Sequence, residues 1–154
     1  MPGCQPALLR DGIGSVRPRI YLAHDSDRTS RAQAQPVVMV VDDEKWAREL
    51  TGRMLRDEGY QVIEAASAEE ALQHLGSGAA VNLVLVDIAM PGMDGFELAD
   101  QLRTRYPNQA VVLMTGFSGV LAKIGMQGLK HPLLTKPFSS AQLTARVRDA
   151  LRGQ

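Results

Sequence analysis

Reactive side chains follow four separate runs of apolar residues in this sequence. They are two adjacent carboxylates, a third carboxylate, a hydroxyl group and an ammonium group: Asp42, Asp43, Asp87, Thr115 and Lys136. The apolar runs are typical of strands that are buried on both faces of a sheet. Because the carboxyl ends of parallel strands meet at one edge, where α/β proteins bind ligands, we expect the five side chains to converge on one pocket.

The chemistry that these groups could perform together is phosphoryl transfer. Three carboxylates in one pocket cannot all stay ionised without a counter-charge, and a hard divalent cation such as Mg²⁺ prefers oxygen ligands. Lys136 adds a mobile positive charge to the same pocket. Phosphoryl transfer depends mainly on positioning and charge neutralisation, and a carboxylate can itself be the nucleophile.

The elements that must position these residues alternate along the chain. Strands are predicted at residues 37–41, 60–63, 81–87, 110–114 and 132–135. Helices are predicted at about 47–59, 67–76, 96–106 and 120–127, and from 139 onwards. Alternation of this kind implies right-handed crossovers and a parallel sheet that is covered on both faces.

Two local patterns predict details of the helices. The first helix carries apolar residues at three- and four-residue spacing, which predicts that they face the core: Ala47, Leu50, Met54 and Leu55. Ser67, followed three residues later by Glu70, predicts a capping box at the start of the second helix. Ser139 and Ser140 can cap the last helix.

Composition excludes several classes of protein. The chain has 154 residues with 45% hydrophobic residues and no net charge, which predicts one domain and gives no reason to expect nucleic acid or membrane partners. Cys4 is the only cysteine, so no internal disulfide can form. Since the sequence also lacks the apolar run of a signal peptide or a membrane span, we expect a cytoplasmic protein.

Residues 1–36 are predicted to form a disordered leader or linker, because glycine and proline interrupt every periodicity in them. A docking or tethering arm is the alternative, and the sequence does not distinguish the two. The chain ends shortly after the last predicted helix, so we expect no attached output domain.

From residue 37 to 152 the sequence resembles the receiver domain of two-component response regulators. Four segments carry the resemblance in the order and approximate spacing of that family: VVDDE at 40–44, VLVDIAMPGMDG at 84–95, MTG at 114–116 and LTKPF at 134–138. The resemblance implies the flavodoxin-like (βα)5 fold, a doubly wound parallel sheet with strand order 2-1-3-4-5. This fold agrees with the alternation of strands and helices in the sequence.

The resemblance also implies roles for the acidic residues. Asp87 would be the phosphoacceptor and a Mg²⁺ ligand, and Asp43 would bind the same ion directly. Asp42 would bind it through water, and the backbone carbonyl of Ala89 would be a further ligand. The phosphoryl donor would be a phosphohistidine on a sensor histidine kinase or on a histidine phosphotransfer protein.

The remaining positions implied by the resemblance concern the phosphoryl group and the conformational switch. Thr115 and Lys136 would bind phosphoryl oxygens, and a cis bond between Lys136 and Pro137 would hold the lysine over the pocket. Three residues before Lys136 the family usually has Tyr or Phe, whereas Leu133 stands here. We therefore expect phosphorylation to pull Thr115 inward without an aromatic flip, with mobility supplied by the glycine-containing fourth helix.

Two apolar positions predict a long-lived phosphorylated state. Ala89 lies two residues after Asp87, and Phe117 lies two residues after Thr115. Both positions flank the path of an attacking water, and neither side chain can orient that water by hydrogen bonding. Self-dephosphorylation is therefore expected to be slow, with a lifetime beyond a few minutes.

The main hypothesis is a phosphoryl-accepting signalling domain, not an enzyme, that switches a docking surface for an unknown protein target. The surface would comprise the fourth helix, fifth strand and fifth helix. The domain could be a freely diffusing regulator, a phosphorelay intermediate or the receiver of a hybrid kinase.

Two other functions remain open on the sequence. A Mg²⁺-dependent aspartyl-phosphate phosphatase or phosphotransferase usually has a second Asp two residues after its nucleophile, where this chain has Ala89. A pseudo-receiver would bind partners without being phosphorylated, and the intact acidic, hydroxyl and ammonium groups argue against it.

Overall fold

A computed structural model of the chain describes residues 35–116 and 130–153. The strands in this part are β1 (Val37–Val41), β2 (Gln61–Ala65), β3 (Leu83–Asp87), β4 (Ala110–Thr115) and β5 (Leu133–Thr135). The helices are α1 (Lys45–Asp57), α2 (Ala68–Gly76), α3 (Gly95–Arg105) and α4 (Ser140–Arg152). None of these helices is long and apolar enough to cross a membrane. The predicted leader, apart from its last two residues, and the predicted helix at 120–127 lie outside the described residues.

The sheet has the predicted topology. All four strand pairs are parallel, and the spatial order is β2-β1-β3-β4-β5. In this register Val41 of β1 lies beside Val86 of β3, and Asp87 lies beside Met114 of β4. The carboxyl ends of the strands are therefore aligned at one edge, as the sequence predicts. The flavodoxin-like fold is confirmed.

The sheet separates two apolar clusters, one on each face. Successive residues of β3 alternate between them, and all five residues of that strand are buried. One cluster includes α2 and α3 through Ala71, Leu98 and Leu102. The other includes α1 and α4 through Leu55, Leu143 and Val147. Because β3 is covered on both sides, an unbroken apolar run is what this position requires.

Helix α1 buries part of the face that its apolar residues predict, since Leu55 is buried and Met54 packs against the core, but Leu50 does not face the core. Its buried residues are Thr51, Gly52 and Leu55, whereas Leu50 is 36% exposed. Gly52 explains the difference, since a Cβ at this position would lie 2.9 Å from Oε1 of Glu64 on β2. The helix turns its glycine and threonine toward the sheet, and Leu50 instead lines an open groove with Trp46 and Phe138.

The predicted capping box at α2 forms only in part. The Ser67 hydroxyl accepts a hydrogen bond from the backbone N–H of Glu70, as expected. The Glu70 carboxylate, however, accepts from the N–H of Ala66 rather than from that of Ser67. Glu70 thus ties the helix to the residue that follows β2. Complete capping boxes open α3 and α4, where they are formed by Asp94 with Glu97 and by Ser139 with Gln142.

The burial of β3 and the orientation of α1 can be tested with one pair of variants. Leu85→Ala should lower the free energy of unfolding by about 2–5 kcal/mol, because it leaves a cavity in the central strand. Leu50→Ala is the matched control on the outer side of α1, and it should lower that free energy by less than about 1 kcal/mol. Urea unfolding followed by circular dichroism measures both values. A loss at Leu50 as large as the loss at Leu85 would contradict the orientation of α1.

Candidate functional site

The carboxyl ends of the strands bring the predicted side chains together. Asp42 follows β1, Asp87 is the last residue of β3, and Asp43 follows Asp42. One carboxylate oxygen from each of these three residues lies within 4.8 Å of the other two. Thr115 ends β4 and is buried, and Lys136 directly follows β5.

Asp42 is fully buried, and hydrogen bonds hold its carboxylate on both sides. Oδ1 accepts from the backbone N–H of Glu44 at 3.0 Å, and Oδ2 accepts from Nζ of Lys136 at 2.8 Å. The backbone N–H of Asp42 continues the sheet by donating to the Ala65 carbonyl. These partners replace the hydrogen bonds to water that the carboxylate loses on burial.

A close approach of backbones fixes the position of Asp87. The N–H of Ile88 donates to the Met114 carbonyl at 2.9 Å, which extends the pairing of β3 with β4. The N–H of Gly95 donates to the Ile88 carbonyl at 3.0 Å, so the first turn of α3 rests on this strand end. A Cβ at Gly95 would lie only 2.5 Å from the carbonyl oxygen of Asp87. Only glycine allows this contact, and any other residue would displace the backbone that carries Asp87.

The electrostatic state of Asp87 differs from that of an ordinary carboxyl group. Burial, followed by the nearby charges of Asp42 and Asp43, raises the pKa of Asp87 from 3.8 to about 6. The Lys136 ammonium and a hydrogen bond from the Ala89 N–H oppose this shift of the pKa but do not cancel it. Burial is thus the main reason why Asp87 holds its proton more tightly than an ordinary carboxyl group.

Lys136 connects the acidic residues with the edge of the sheet. Its Nζ lies 2.8 Å from Oδ2 of Asp42 and 3.7 Å from Oδ1 of Asp87. Its backbone N–H donates to the Thr115 carbonyl at 2.7 Å, so these two residues are held side by side. The peptide bond between Lys136 and Pro137 is cis.

The structure describes two of the three further positions named from the sequence, Ala89 and Leu133. The side chain of Ala89 is exposed, while its backbone N–H bonds the Asp87 carboxylate. Leu133, the first residue of β5, is half-buried and packs against the cluster that includes α2 and α3. Phe117 lies outside the described residues.

The donor set fits a hard divalent cation. Asp42, Asp43 and Asp87 offer carboxylate oxygens, and Ala89 adds a backbone carbonyl to the same loop. Oxygen ligands are those that Mg²⁺ prefers. The raised pKa of Asp87 indicates in addition that a further positive charge would stabilise the ionised pocket.

Sequence reasoning missed two residues that shape the site. Arg48 of α1 donates from Nη1 to the backbone carbonyl of Asp42 at 2.8 Å. In the sequence Arg48 is one of several charged residues between apolar helix positions, and nothing distinguishes it from Arg53. Gly95 could have been found, because a glycine that directly follows a helix cap suggests close packing of the helix start.

Comparison with known proteins identifies the family. The model of the response regulator receiver domain matches residues 38–148. The chain therefore belongs to the response regulator receiver domain family, which consists of phosphoacceptor signalling domains that interact with histidine kinases or phosphotransfer proteins and generally use Mg²⁺ in an acidic pocket.

Individual relatives show the range of proteins in which such a domain occurs. The transcriptional regulatory protein AruR of Pseudomonas aeruginosa is 36% identical over 124 residues, which are 76% of this chain and 50% of AruR. The sensor kinase CckA of Brucella abortus is 33% identical over 151 residues, which are 97% of this chain and 16% of CckA. The chain spans about half the length of AruR, and the expectation that no output domain is attached stays a prediction.

A solved structure agrees with the fold. The response regulator TrrA of Thermotoga maritima, in complex with Mg²⁺ and BeF, has a TM-score of 0.67 and 32% sequence identity. The alignment covers 75% of this chain and 99% of TrrA.

The raised pKa of Asp87 predicts how stability depends on pH. In the metal-free protein the carboxyl group of Asp87 binds a proton below about pH 6 in the folded state. In the unfolded chain it binds this proton only below about pH 3.8. Stability from this group is thus complete below about pH 4 and is lost as the pH rises through about 6. Asp87→Asn should be more stable than the wild type at about pH 7, by at most about 3 kcal/mol, and this advantage should vanish at about pH 4.

Urea unfolding in the presence of a chelator measures this difference at both pH values. Asp57→Asn, a substitution of an exposed aspartate at the end of α1, is the control and should show no such pH dependence. An advantage of Asp87→Asn that is equal at both pH values would contradict the assigned electrostatics.

Proposed function

We propose that Asp87 accepts a phosphoryl group from a phosphohistidine and that the acidic pocket holds Mg²⁺ for this reaction. Asp43, Asp87 and the backbone carbonyl of Ala89 are the proposed direct ligands, and Asp42 is the proposed ligand through water. The observation that carries the proposal is the contact of Lys136 Nζ with the carboxylates of Asp42 and Asp87, at 2.8 and 3.7 Å. Through this contact the Lys136 ammonium provides a mobile positive charge beside the proposed nucleophile.

The chemical step needs a nucleophile and a leaving group. An Oδ atom of Asp87 attacks the phosphorus, an O–P bond forms, and the P–N bond of the phosphohistidine breaks. The imidazole nitrogen keeps the electron pair of that bond and takes a proton from solvent. When bound, Mg²⁺ would neutralise negative charge on the carboxylates and on the phosphoryl oxygens. At about pH 7 most of Asp87 is ionised even without the metal, because its pKa is about 6.

The charged product would be held by Thr115 and Lys136. Their backbones are joined by the 2.7 Å hydrogen bond between the Lys136 N–H and the Thr115 carbonyl. A phosphoryl group on Asp87 would compete with Asp42 for the Lys136 ammonium, which has 23% of its side chain exposed and can rotate. Movement of these two residues at the ends of β4 and β5 is the proposed origin of the switch.

The proposed output is a change in a docking surface that includes β5 and α4. Leu133 starts β5 and packs against the core. Since Leu133 has no ring to rotate, the signal would pass through Thr115 and the β4–β5 connection. The part of this surface predicted at 120–127 lies outside the described residues.

The relatives support this function and leave its context open. TrrA was solved with Mg²⁺ and BeF, and by similarity the acidic pocket of this chain is proposed to bind the same pair. AruR is a transcriptional regulatory protein, whereas CckA is a sensor kinase. The CckA match extends over 97% of this chain and the AruR match over 76%, so a free regulator, a phosphorelay intermediate and the receiver of a kinase all stay open.

Phosphorylation of Asp87 is the direct test. With Mg²⁺ and acetyl phosphate, the intact protein should gain the mass of one phosphoryl group, because the acidic pocket and Lys136 assemble around one nucleophile. Asp87→Asn should gain none, and Asp57→Asn should react like the wild type. Electrospray mass spectrometry at successive times measures the yield.

Each alternative function has its own outcome in the same experiment. Undiminished phosphorylation of Asp87→Asn would overturn the assignment of the acceptor. A protein that binds neither phosphoryl groups nor beryllium fluoride would be a pseudo-receiver. Repeated turnover of a phosphate ester would indicate a phosphatase.

The lifetime of the phosphorylated protein is predicted to exceed a few minutes. The exposed side chain of Ala89 offers no group that orients a water toward the phosphorus. Ala89→Asn adds a carboxamide at this position and should shorten the lifetime, whereas Ala89→Val is the apolar control and should not. Loss of the phosphoryl mass after removal of the donor measures the lifetime. Rapid loss from the wild type would contradict the prediction.

A further inference from the structure

A chain of polar contacts leads from β2 through α1 to the acidic pocket. Glu64 of β2 accepts a hydrogen bond from Nη2 of Arg56 at 2.9 Å, and its other oxygen lies 3.7 Å from Nε of Arg48. Arg48 in turn donates from Nη1 to the backbone carbonyl of Asp42 at 2.8 Å. Only 14% of the Arg48 side chain is exposed, so its contacts with Glu64 and with the Asp42 carbonyl are not those of an ordinary surface residue.

The carbonyl that Arg48 binds belongs to the peptide that joins Asp42 to Asp43. A peptide unit is planar, so a bond that fixes its oxygen also fixes the direction in which the chain reaches the next Cα. The carboxylate of Asp42 has its own partners in Glu44 and Lys136. Asp43 is exposed, and among the described residues no hydrogen bond or ion pair of its side chain is found. The position of the Asp43 carboxylate therefore depends on its backbone.

The surroundings of Arg48 keep the guanidinium in one orientation. Glu64 balances its charge from β2, and Arg56 holds Glu64 from the outer side of α1. Gly52 makes the room for this arrangement, since a Cβ there would lie 2.9 Å from Oε1 of Glu64 and 3.2 Å from Nη1 of Arg56. A planar group with several donors can contact both a carboxylate and a carbonyl, which a lysine ammonium does less well.

We propose that Arg48 is a positioning residue for the metal site, because its guanidinium holds the Asp42–Asp43 peptide and so aims the Asp43 carboxylate. This inference rests on the proposed function, in which Asp43 binds Mg²⁺ directly. Glu64 takes part in the same positioning, since it fixes the orientation of Arg48. Groups that hydrogen-bond to the ligands of a metal, and not to the metal itself, orient those ligands and so change the affinity of the site.

The test is the affinity of the full chain for Mg²⁺ alone, measured by isothermal titration calorimetry. Arg48→Met and Arg48→Lys should both weaken binding by about tenfold or more, because neither side chain can hold the carbonyl and Glu64 together. Arg53→Met is the matched control, since it removes an exposed arginine of the same helix for which the described residues show no contact with Glu64 or Asp42. Its affinity should equal that of the wild type within error.

A second variant keeps the test valid if the Arg48 variants fold poorly. Glu64→Gln leaves Arg48 in place but removes its charged partner, and it should bind Mg²⁺ more weakly than Arg53→Met does. Urea unfolding of each variant separates a loss of stability from a loss of affinity. Wild-type affinity in Arg48→Met, Arg48→Lys or Glu64→Gln would overturn the inference, even if stability falls.

The failure of this inference can be distinguished from the failure of the proposed function. If the wild type binds Mg²⁺ and Asp43→Asn weakens binding while the Arg48 variants do not, only the role of Arg48 is wrong. If the wild type does not bind Mg²⁺, or if Asp43→Asn binds as tightly as the wild type, the proposed metal site itself is wrong.

Discussion

The mutual repulsion of three carboxylates at one edge of the sheet is the constraint on which the rest of the site depends. Burial removes Asp87 from water, and this desolvation, followed by the charges of Asp42 and Asp43, raises the pKa of Asp87 to about 6. Lys136 relieves part of the repulsion through its contacts with Asp42 and Asp87. A cation in the pocket would reduce the remaining repulsion between the carboxylates. Because all the donors are oxygen atoms, a hard divalent cation fits them best.

Such a pocket requires a rigid frame, because relaxation of the backbone would let the carboxylates move apart. Two glycines supply the close contacts that make the frame rigid. Gly95 lets the start of α3 rest on the backbone of Asp87, and Gly52 lets α1 approach Glu64 on β2. Hydrogen bonds then hold the strand ends in place, among them those from Arg48 to Asp42 and from Lys136 to Thr115.

The family is one of phosphoacceptor signalling domains, and the geometry supports Asp87 as the proposed acceptor. The position two residues after Asp87 carries the methyl group of Ala89, where an aspartyl-phosphate phosphatase usually has a second Asp. The proposed signal would leave through the neighbouring strand ends. The matched relatives include a transcriptional regulatory protein and a sensor kinase, so domains similar to this one occur in proteins of different kinds.

The sequence by itself determined the fold class and the residues of the pocket. Apolar runs that end in Asp42, Asp87 and Thr115 specify buried parallel strands, and parallel strands leave their last residues at one edge. The tertiary structure decided what depends on the approach of neighbouring elements. It turned Gly52 rather than Leu50 toward the sheet, joined Glu70 to Ala66, and paired Arg48 with the Asp42 carbonyl. Local patterns cannot reveal these contacts, because the partners lie on other elements or across a turn, and only packing brings them within bonding distance.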